Sequence, residues 1–548
     1  MTPEYTAALE RFDWRAVRGA LGWGEAHAVD LAHAIIDRHR DSGRTALVFI
    51  DQQGRESRHS YAELAEQSDR AANLLARLGV RPGDRVAGLL PRGPEILVAM
   101  LAAIKIGAIY VPIFTGFKRD AIEYRLGHSG ARVVFTHAAL RGQLPAVLPG
   151  QARCVTVAAG AADTAAADTA AGDIDFAAAL REAEPRFAAQ PREREDIAAL
   201  IYTSGSTGRP KGGAIAVNFL AAVWPYLTYG ADMRADDVVW PTGDPGWGYG
   251  FVCYLGALAM GATIVSLAAN PTPEVCLDVL ARQRVSNFAT TPTLLRGVMA
   301  LGMDAVRARP NAVRAISSCG EPLNGEVVEF FQQAWGRTPM DHFGATEYGL
   351  PVGNFNAVAV PAKAGSMGLP FPGYEIAVLD DAGQPLAGAH VSGWLAKRRS
   401  ADRLYWSHYW DDAGATAELE RGEWIVTGDL AHRDAEGYYW FDGRAGDMIK
   451  SAGYRIGPFE VESALLAHGA VAEAAVVGVP DALRGELVKA YIVLLPGHAA
   501  SPRLAEEIQL FVKTHCGAHL YPRIVEFVPD LPKTDTGKIQ RFALRQRA

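Results

Sequence analysis

The stretch "IYTSGSTGRPKGG", Ile201 to Gly213, sets glycines, small hydroxyl residues, a proline and a lysine directly behind two mainly apolar positions. Backbone N–H groups in a glycine-rich turn can form a concave nest for an anion, and the hydroxyls of Thr203, Ser204, Ser206 and Thr207 add donors that an apolar loop lacks. Lys211 can neutralise a phosphate. The spacing is not that of a Walker A loop, G-x-x-x-x-G-K-[ST]. Lys211 lies three residues beyond Gly208, with Pro210 before it and Gly212 after it. A P-loop kinase or GTPase is therefore disfavoured, and a plain surface loop of the same composition stays open at this point.

The rest of the chain narrows the choice. Its 548 residues exceed what one core usually organises, so two or more domains are expected. Apolar residues at 49% and charged residues at 21% describe a globular chain rather than a disordered or fibrous one. A net charge of -7 leaves no general footprint for nucleic acid. The five cysteines, Cys154, Cys253, Cys276, Cys319 and Cys516, are scattered and odd in number, which points away from a disulfide framework and towards a reducing compartment. The start, "MTPEYTAALERFDW", lacks the apolar core of a secretory signal, and no run of about 18 apolar residues follows, so a cytoplasmic protein is expected.

Helical spacing is clear in "SYAELAEQSDRAANLLARLGV", with Leu64, Ala71, Leu74, Leu75 and Leu78 on one face and Ser60 with Glu63 as a capping box. "RPGDRVAGLLP" reads as a turn into a strand, and "EILVAMLAAIKIGAIYVPI" as a helix ended by Gly107 followed by a buried strand ended by Pro112. "ARVVFTH" and "GATIVSLAA" are further strands. This alternation implies a layered α/β domain. From about Val155 to Ala189 the tract "AAGAADTAAADTAAGDIDFAAAL" reads as a surface excursion without assigned structure. A last unit of about 100 residues begins near Arg444, with "VAEAAVVGVP" and "VKAYIVLLPG" as strands and "PRLAEEIQLFVKTHC" as a helix, the size of a small α+β domain.

The motifs agree with one family. "YTSGSTGRPKGG" resembles the phosphate loop of the adenylate-forming enzymes: acyl-CoA synthetases, luciferases and the adenylation domains of peptide synthetases. The family's other signatures follow in order: "SCGEPL" at Ser318 to Leu323, "HFGATEYG" at His342 to Gly349, "TGD" at Thr427 to Asp429, "YWFDGRAGDMIKSAGYRIGPFEVE" at Tyr439 to Glu462, and "PKTDTGK" at Pro532 to Lys538. The resemblance covers essentially the whole chain. It implies a large N-terminal domain of layered α/β subdomains over residues 1–443, a hinge at 444–447 and a small mobile C-terminal α+β domain over 448–548.

The resemblance also implies roles. Thr203, Ser204, Gly205, Ser206, Thr207, Gly208 and Lys211 would bind the ATP phosphates. Gly320, Glu321 and Pro322 would flank adenine on one side, and Asp341, His342, Phe343, Gly344 and Ala345 on the other. Thr346 would contact phosphate, and Glu347 would hold Mg²⁺, a hard ion suited to carboxylate oxygens. Asp429 would accept the ribose hydroxyls, assisted by Arg444. Lys538 would stabilise charge growing on the α-phosphate as the carboxylate attacks; a lysine acyltransferase acting there would remove that charge. Gly453, Tyr454 and Arg455 would serve coenzyme A in a second half-reaction, Gly453 by letting pantetheine pass close to the backbone, with Arg455 also a phosphate contact in one domain orientation. Gly446 stands where the family hinge commonly carries Asp or Lys.

For the acid, "GDPGWGYGF" and "SSCGEP" are similar to the acyl-pocket segments of the acetyl- and medium-chain synthetases. Trp247, Gly248, Tyr249, Cys319 and Gly344 would line the pocket, Trp247 as its wall. Acetyl-CoA synthetases carry a pocket-blocking tryptophan in Tyr-Trp-Gln-Thr-Glu; here that position holds Gly344. The expectation is an acid larger than acetate, medium-chain, branched or small aromatic, with Gly344→Trp shortening it. The alternatives are an adenylating enzyme that loads a carrier-protein pantetheine, and a binding protein on an inactive scaffold, the latter disfavoured by Lys211, Glu347, Asp429, Arg444 and Lys538.

Overall fold

The computed structural model describes residues 2–158, 172–203, 209–321, 323–451, 454–517, 520–533 and 539–547. Two large sheets form the body of the N-terminal domain. The first has eight strands, in the order Trp406–Tyr409, Lys211–Ala216, Ile197–Thr203, Ile109–Pro112, Arg85–Leu89, Val133–His137, Arg153–Val157 and Ile174–Asp175. It is parallel from Ile197–Thr203 outward and antiparallel at the two strands on the other side. The second has nine, and its central strands, including Met340–Ala345, Ala315–Cys319 and Asn287–Thr290, are likewise parallel.

Helices separate the two sheets. Pro94–Lys105 is apolar all round, as a helix covered on every side must be, and all of its residues from Ile96 onward are buried. It packs against Arg85–Leu89 and Ile109–Pro112 of the first sheet, while Gly248–Met260 packs against the second. Tyr61–Arg77 lies across them and begins with the expected Ser60–Glu63 capping box. Tyr61 at its start donates its hydroxyl to the Ala262 carbonyl at 2.7 Å. Even the charge in this layer is paired: fully buried Lys105 meets Asp69 at 2.6 Å and Asp37 at 2.9 Å.

The Ala/Asp/Thr-rich tract is more ordered at both ends than its composition suggested. Arg153–Val157 and Ile174–Asp175 extend the first sheet. Asp175 caps a helix, Phe176–Glu182, whose Phe176 is buried in the main core. The intervening residues 159–171 lie outside the described ones.

A third, smaller sheet contains Ile376–Leu379, Gly393–Arg398, Glu420–Arg421, Trp424–Arg433 and Tyr439–Arg444. The C-terminal domain has its own sheet, formed by Ile449–Ser451, Tyr454–Ile456, Val471–Asp481, Gly485–Leu494 and Ile524–Phe527. Helices Pro458–Leu466 and Pro502–Cys516 cover it over a separate apolar core. The strands and helix read from sequence in this unit are all present.

Candidate active site

The opening stretch is a hairpin of the first sheet. Thr203 ends one strand and Lys211 begins its antiparallel neighbour, with the two residues in register. Ser204, Gly205, Ser206, Thr207 and Gly208 lie between them, outside the described residues. On its far side, Lys211–Ala216 pairs with Trp406–Tyr409, placing Gly213 opposite Tyr409. Lys211 Nζ stands 5.2 Å from the centre of the Tyr409 ring, so the loop's cation is held over an aromatic face.

Thr346 is where three motif segments meet. A Cβ built on Gly213 would approach Thr346 Cγ2 to 2.8 Å, and one on Gly248 would stand 3.9 Å from Thr346 Oγ1. Glycine at 213 therefore lets the hairpin strand close on the turn that follows Met340–Ala345. Gly248 opens the helix Gly248–Met260, so the first turn of that helix lies beside Thr346.

Glu347 follows and is buried. Burial raises the proton affinity of its carboxyl, a hydrogen bond from Tyr409 opposes that, and the charge of Asp429 adds to it. The Tyr409 hydroxyl donates to Glu347 Oε1 at 2.5 Å. Among the described residues no group of three or more His, Cys, Asp or Glu side chains converges as a metal cage. A single buried carboxylate fits Mg²⁺ that keeps waters and arrives with phosphate oxygens.

Asp429 comes from the third sheet and is 2% exposed. Its Oδ2 accepts the Thr427 hydroxyl at 2.6 Å, and its Oδ1 lies 3.3 Å from Arg444 Nε on the paired strand. Gly320, at the end of Ala315–Cys319, has φ +102°, and among the described residues no atom beyond its chain neighbours lies within 4 Å of where its Cβ would stand. That leaves an open face of main chain against which a flat ring can lie. Glu321 is turned away to helix Pro292–Ala300, accepting from Thr293 at 2.7 Å and from Arg296 at 2.8 Å. Buried His342 is held by the Asn354 carbonyl at 3.0 Å and is kept neutral, its pKa lowered by burial to about 4. Burial raises the Asp341 carboxyl well above the usual range.

Residues 36–400 match the sequence profile of the AMP-binding enzymes, and residues 460–538 match the AMP-binding enzyme C-terminal domain. The chain belongs to this family, among its AMP-forming acyl-CoA synthetases. The acetyl-coenzyme A synthetase of Bacillus subtilis is 36% identical over 99% of this chain and 94% of its own length. The crystal structure of a Brucella canis acyl-CoA synthetase superposes with a TM-score of 0.78 at 38% identity, covering 100% of this chain and 99% of that one. That of the anthranilate CoA ligase AuaEII in complex with anthranoyl-AMP gives 0.83 at 30% identity, over 95% and 98%. The synthetases of this family use ATP, Mg²⁺ and coenzyme A. No helix among the described residues is long and apolar enough to cross a membrane.

The synthetase's acyl-pocket candidates gather at the start of helix Gly248–Met260. Trp247 packs against Phe114 at 5.6 Å and Phe117 at 5.7 Å between ring centres. The Tyr249 hydroxyl lies 3.1 Å from that of Tyr226, which is 3.9 Å from Cys253 Sγ. Cys319 is buried close enough to both tyrosines to add to the rise in their proton affinity, most of which comes from burial. Gly344 differs from the simple expectation of an emptied slot. A Cβ there would meet the Gly349 carbonyl oxygen at 2.5 Å and Leu350 Cδ2 at 2.6 Å. The hairpin register shifts at this point, between Phe343 and Ala345, and turns the Cβ direction into the next strand. Gly344→Trp therefore requires a backbone shift and is no clean probe of pocket length.

Pro322, Gly453 and Lys538 lie outside the described residues. The backbone of Tyr454 and Arg455 pairs with Ser451 and Lys450 in the small domain's sheet, a different layer from the one holding Thr346. Sequence reading missed Tyr409, Tyr226, Phe114 and Phe117. Each reaches the site through strand register or loop packing between distant segments, which leaves no local pattern; the aromatic run "YWSHYW" at 405–410 is the one visible hint.

Proposed function

We propose that this synthetase activates a carboxylic acid larger than acetate, medium-chain, branched or small aromatic, as an acyl-adenylate, and then transfers the acyl group to coenzyme A. The absence of an indole at Gly344 supports this reading. Leu350 fills the space on the Cβ side of that glycine, so the room for a larger acid lies beside Tyr249 and Cys319, behind the Trp247 wall. Each methylene buried there adds about 0.8 kcal/mol. The similar proteins include both an acetyl-CoA synthetase and an anthranilate CoA ligase, so kinship alone favours neither size.

In the first half-reaction Thr203 to Gly208 and Lys211 enclose the β- and γ-phosphates, Thr346 contacts phosphate, and Asp429 with Arg444 holds the ribose. Adenine lies over Gly320 and Pro322, facing the strand from Asp341 to Ala345. Glu347 would hold Mg²⁺, which would neutralise phosphate charge when bound. The acid's carboxylate attacks the α-phosphorus, Lys538 stabilises the growing negative charge, and pyrophosphate leaves. Acylation of Lys538 by a lysine acyltransferase would cancel that charge.

For the second half-reaction residues 448–548 rotate on a hinge at 444–447 against residues 1–443, bringing Gly453, Tyr454 and Arg455 to the pantetheine. Two anchors support this hinge. Ala445 N–H donates to the Gly428 carbonyl at 2.9 Å on the large-domain side, while Asp447 is gripped by Arg545 and faces Arg541, both of the last helix, Arg541–Arg545. Gly446 stands between them, and among the described residues no atom beyond its chain neighbours lies within 4 Å of its Cβ direction. The buried thiols Cys154, Cys253 and Cys276 suit a reducing cytoplasm.

The test is incubation of the purified protein with ATP, Mg²⁺, coenzyme A and octanoate. Octanoyl-CoA, AMP and pyrophosphate in equal amounts are expected. Adenylate without thioester, across a panel of acids, would instead indicate a carrier-protein acceptor.

A further inference from the structure

Lys397 is 3% exposed, in strand Gly393–Arg398 of the third sheet, with Ile376 and Ile425 beside it in register. Unlike Lys105, it meets no carboxylate among the described residues. Burial first, and the cation Arg403 second, lower its pKa to about 7. An apolar side chain would avoid this cost. The amine makes two contacts: Nζ donates to the Tyr348 main-chain carbonyl at 2.8 Å and stands 6.0 Å from the centre of the Tyr374 ring.

The same strand holds Tyr348 a second time, because the Tyr348 hydroxyl donates to the Leu395 carbonyl. That carbonyl is available because the ladder to Trp424–Arg433 is irregular between Trp394 and Ala396. Tyr348 directly follows Thr346 and Glu347, and Trp424–Arg433 carries Asp429. One strand thus clamps the end of the Thr346–Glu347 turn to the sheet that supplies the ribose-binding carboxylate.

We propose that Lys397 is a positioning residue for adenylation, fixing Thr346 and Glu347 relative to Asp429 through the Tyr348 carbonyl. This rests on the assignment of Thr346 and Glu347 made above. A residue kept only for packing would be replaced by methionine, of similar length, without functional loss. A positioning residue would not.

The experiment compares wild type with Lys397→Met by amide hydrogen exchange over 346–349, calorimetric Mg²⁺-dependent ATP binding, and pyrophosphate exchange. The expected result is exchange at least ten-fold faster in that turn, ATP binding in Mg²⁺ at least ten-fold weaker, and kcat at least ten-fold lower, with the KM for the acid within two-fold and a melting temperature equal or higher. Lys397→Gln, which keeps a neutral donor, should recover part of the loss. Unchanged turn exchange with kcat and ATP affinity within two-fold would overturn the inference. Should the methionine variant fail to fold, Tyr348→Phe removes the other half of the clamp; it should shift the same quantities in the same direction, and no shift counts against the proposal. Glu347→Gln separates the two levels. If it leaves Mg²⁺-dependent ATP binding intact, the site assignment itself fails; if it abolishes that binding and Lys397→Met does nothing, only the Lys397 inference fails.

Discussion

The Tyr409 hydroxyl donates to Glu347 Oε1 across 2.5 Å, joining the edge strand of the first sheet to the turn that leaves the second. A hydrogen bond to a charged group contributes about 1.5–3 kcal/mol, so this one places the carboxylate and opposes the rise in proton affinity that burial causes. Tyr409→Phe retains the ring beneath Lys211 and removes only the donor. We expect the Mg²⁺ concentration for half-maximal pyrophosphate exchange to rise about ten-fold, the order such an energy implies. Unchanged Mg²⁺ dependence would remove Tyr409 from the site.

Glu347 should trade stability for function. Burial raises the proton affinity of its carboxyl in the folded state. A carboxyl shifted this way supports the fold while protonated and loses that support as pH rises through its folded pKa. Without ligand, Glu347→Gln should therefore be more stable than wild type at pH 7, the difference closing as pH falls below the ordinary carboxylate range. Denaturation at several pH values checks the slope. Mg²⁺ with ATP should stabilise wild type and not the variant.

Gly213 sets how closely the phosphate-loop hairpin approaches Thr346. In Gly213→Ala the new methyl meets Thr346 Cγ2 at 2.8 Å and the Ile201 carbonyl at 3.3 Å. Overpacking of this kind costs about 1–3 kcal/mol, and the threonine is the part able to yield. Pyrophosphate-exchange kcat should fall at least ten-fold with the acid KM little changed. Wild-type kinetics would show that the approach is slack.

The sequence disclosed the layers and the motif order because these are local. Helical spacing at Leu64 to Leu78, the stop at Gly107 and the alternating strands of the last 100 residues all reappear as elements. The resemblance implied which motifs share a site, and the structure brings close together Lys211 and Tyr409 of the first sheet, the Thr346–Glu347 turn of the second, and the paired Asp429 and Arg444 of the third. What stayed hidden depends on register between distant strands. Tyr409 faces Gly213 across a ladder formed by residues nearly 200 positions apart in the chain. Lys397 reads in sequence as one cation in "AKRRS", which by composition is a solvated run. The bulge that aims the Cβ direction of Gly344 at Leu350 has no sequence signature either.

On the proposed hinge, Gly446 should separate the two half-reactions. Its Cβ direction is open, so Gly446→Ala should retain both. Gly446→Pro fixes φ near −65° and should preserve pyrophosphate exchange while slowing thioester formation at least ten-fold. Equal loss of both activities would place the pivot elsewhere or show a folding defect, which a melting curve identifies.

Leu350 is the better probe of acid length than Gly344, since its side chain fills the space beside that glycine. Leu350→Ala should lower stability by about 2–5 kcal/mol and move the preferred straight-chain acid upward by one or two carbons. An unchanged chain-length profile would take Leu350 out of the pocket.

The central claim is that the synthetase makes acyl-CoA from an acid larger than acetate. The direct measurement is kcat/KM for acyl-CoA formation across straight acids from acetate to octanoate, together with isobutyrate and benzoate, under one set of conditions. The account predicts a maximum at an acid larger than acetate, exceeding acetate by at least ten-fold. A maximum at acetate, or adenylate formation with no acyl-CoA for any acid, would contradict it.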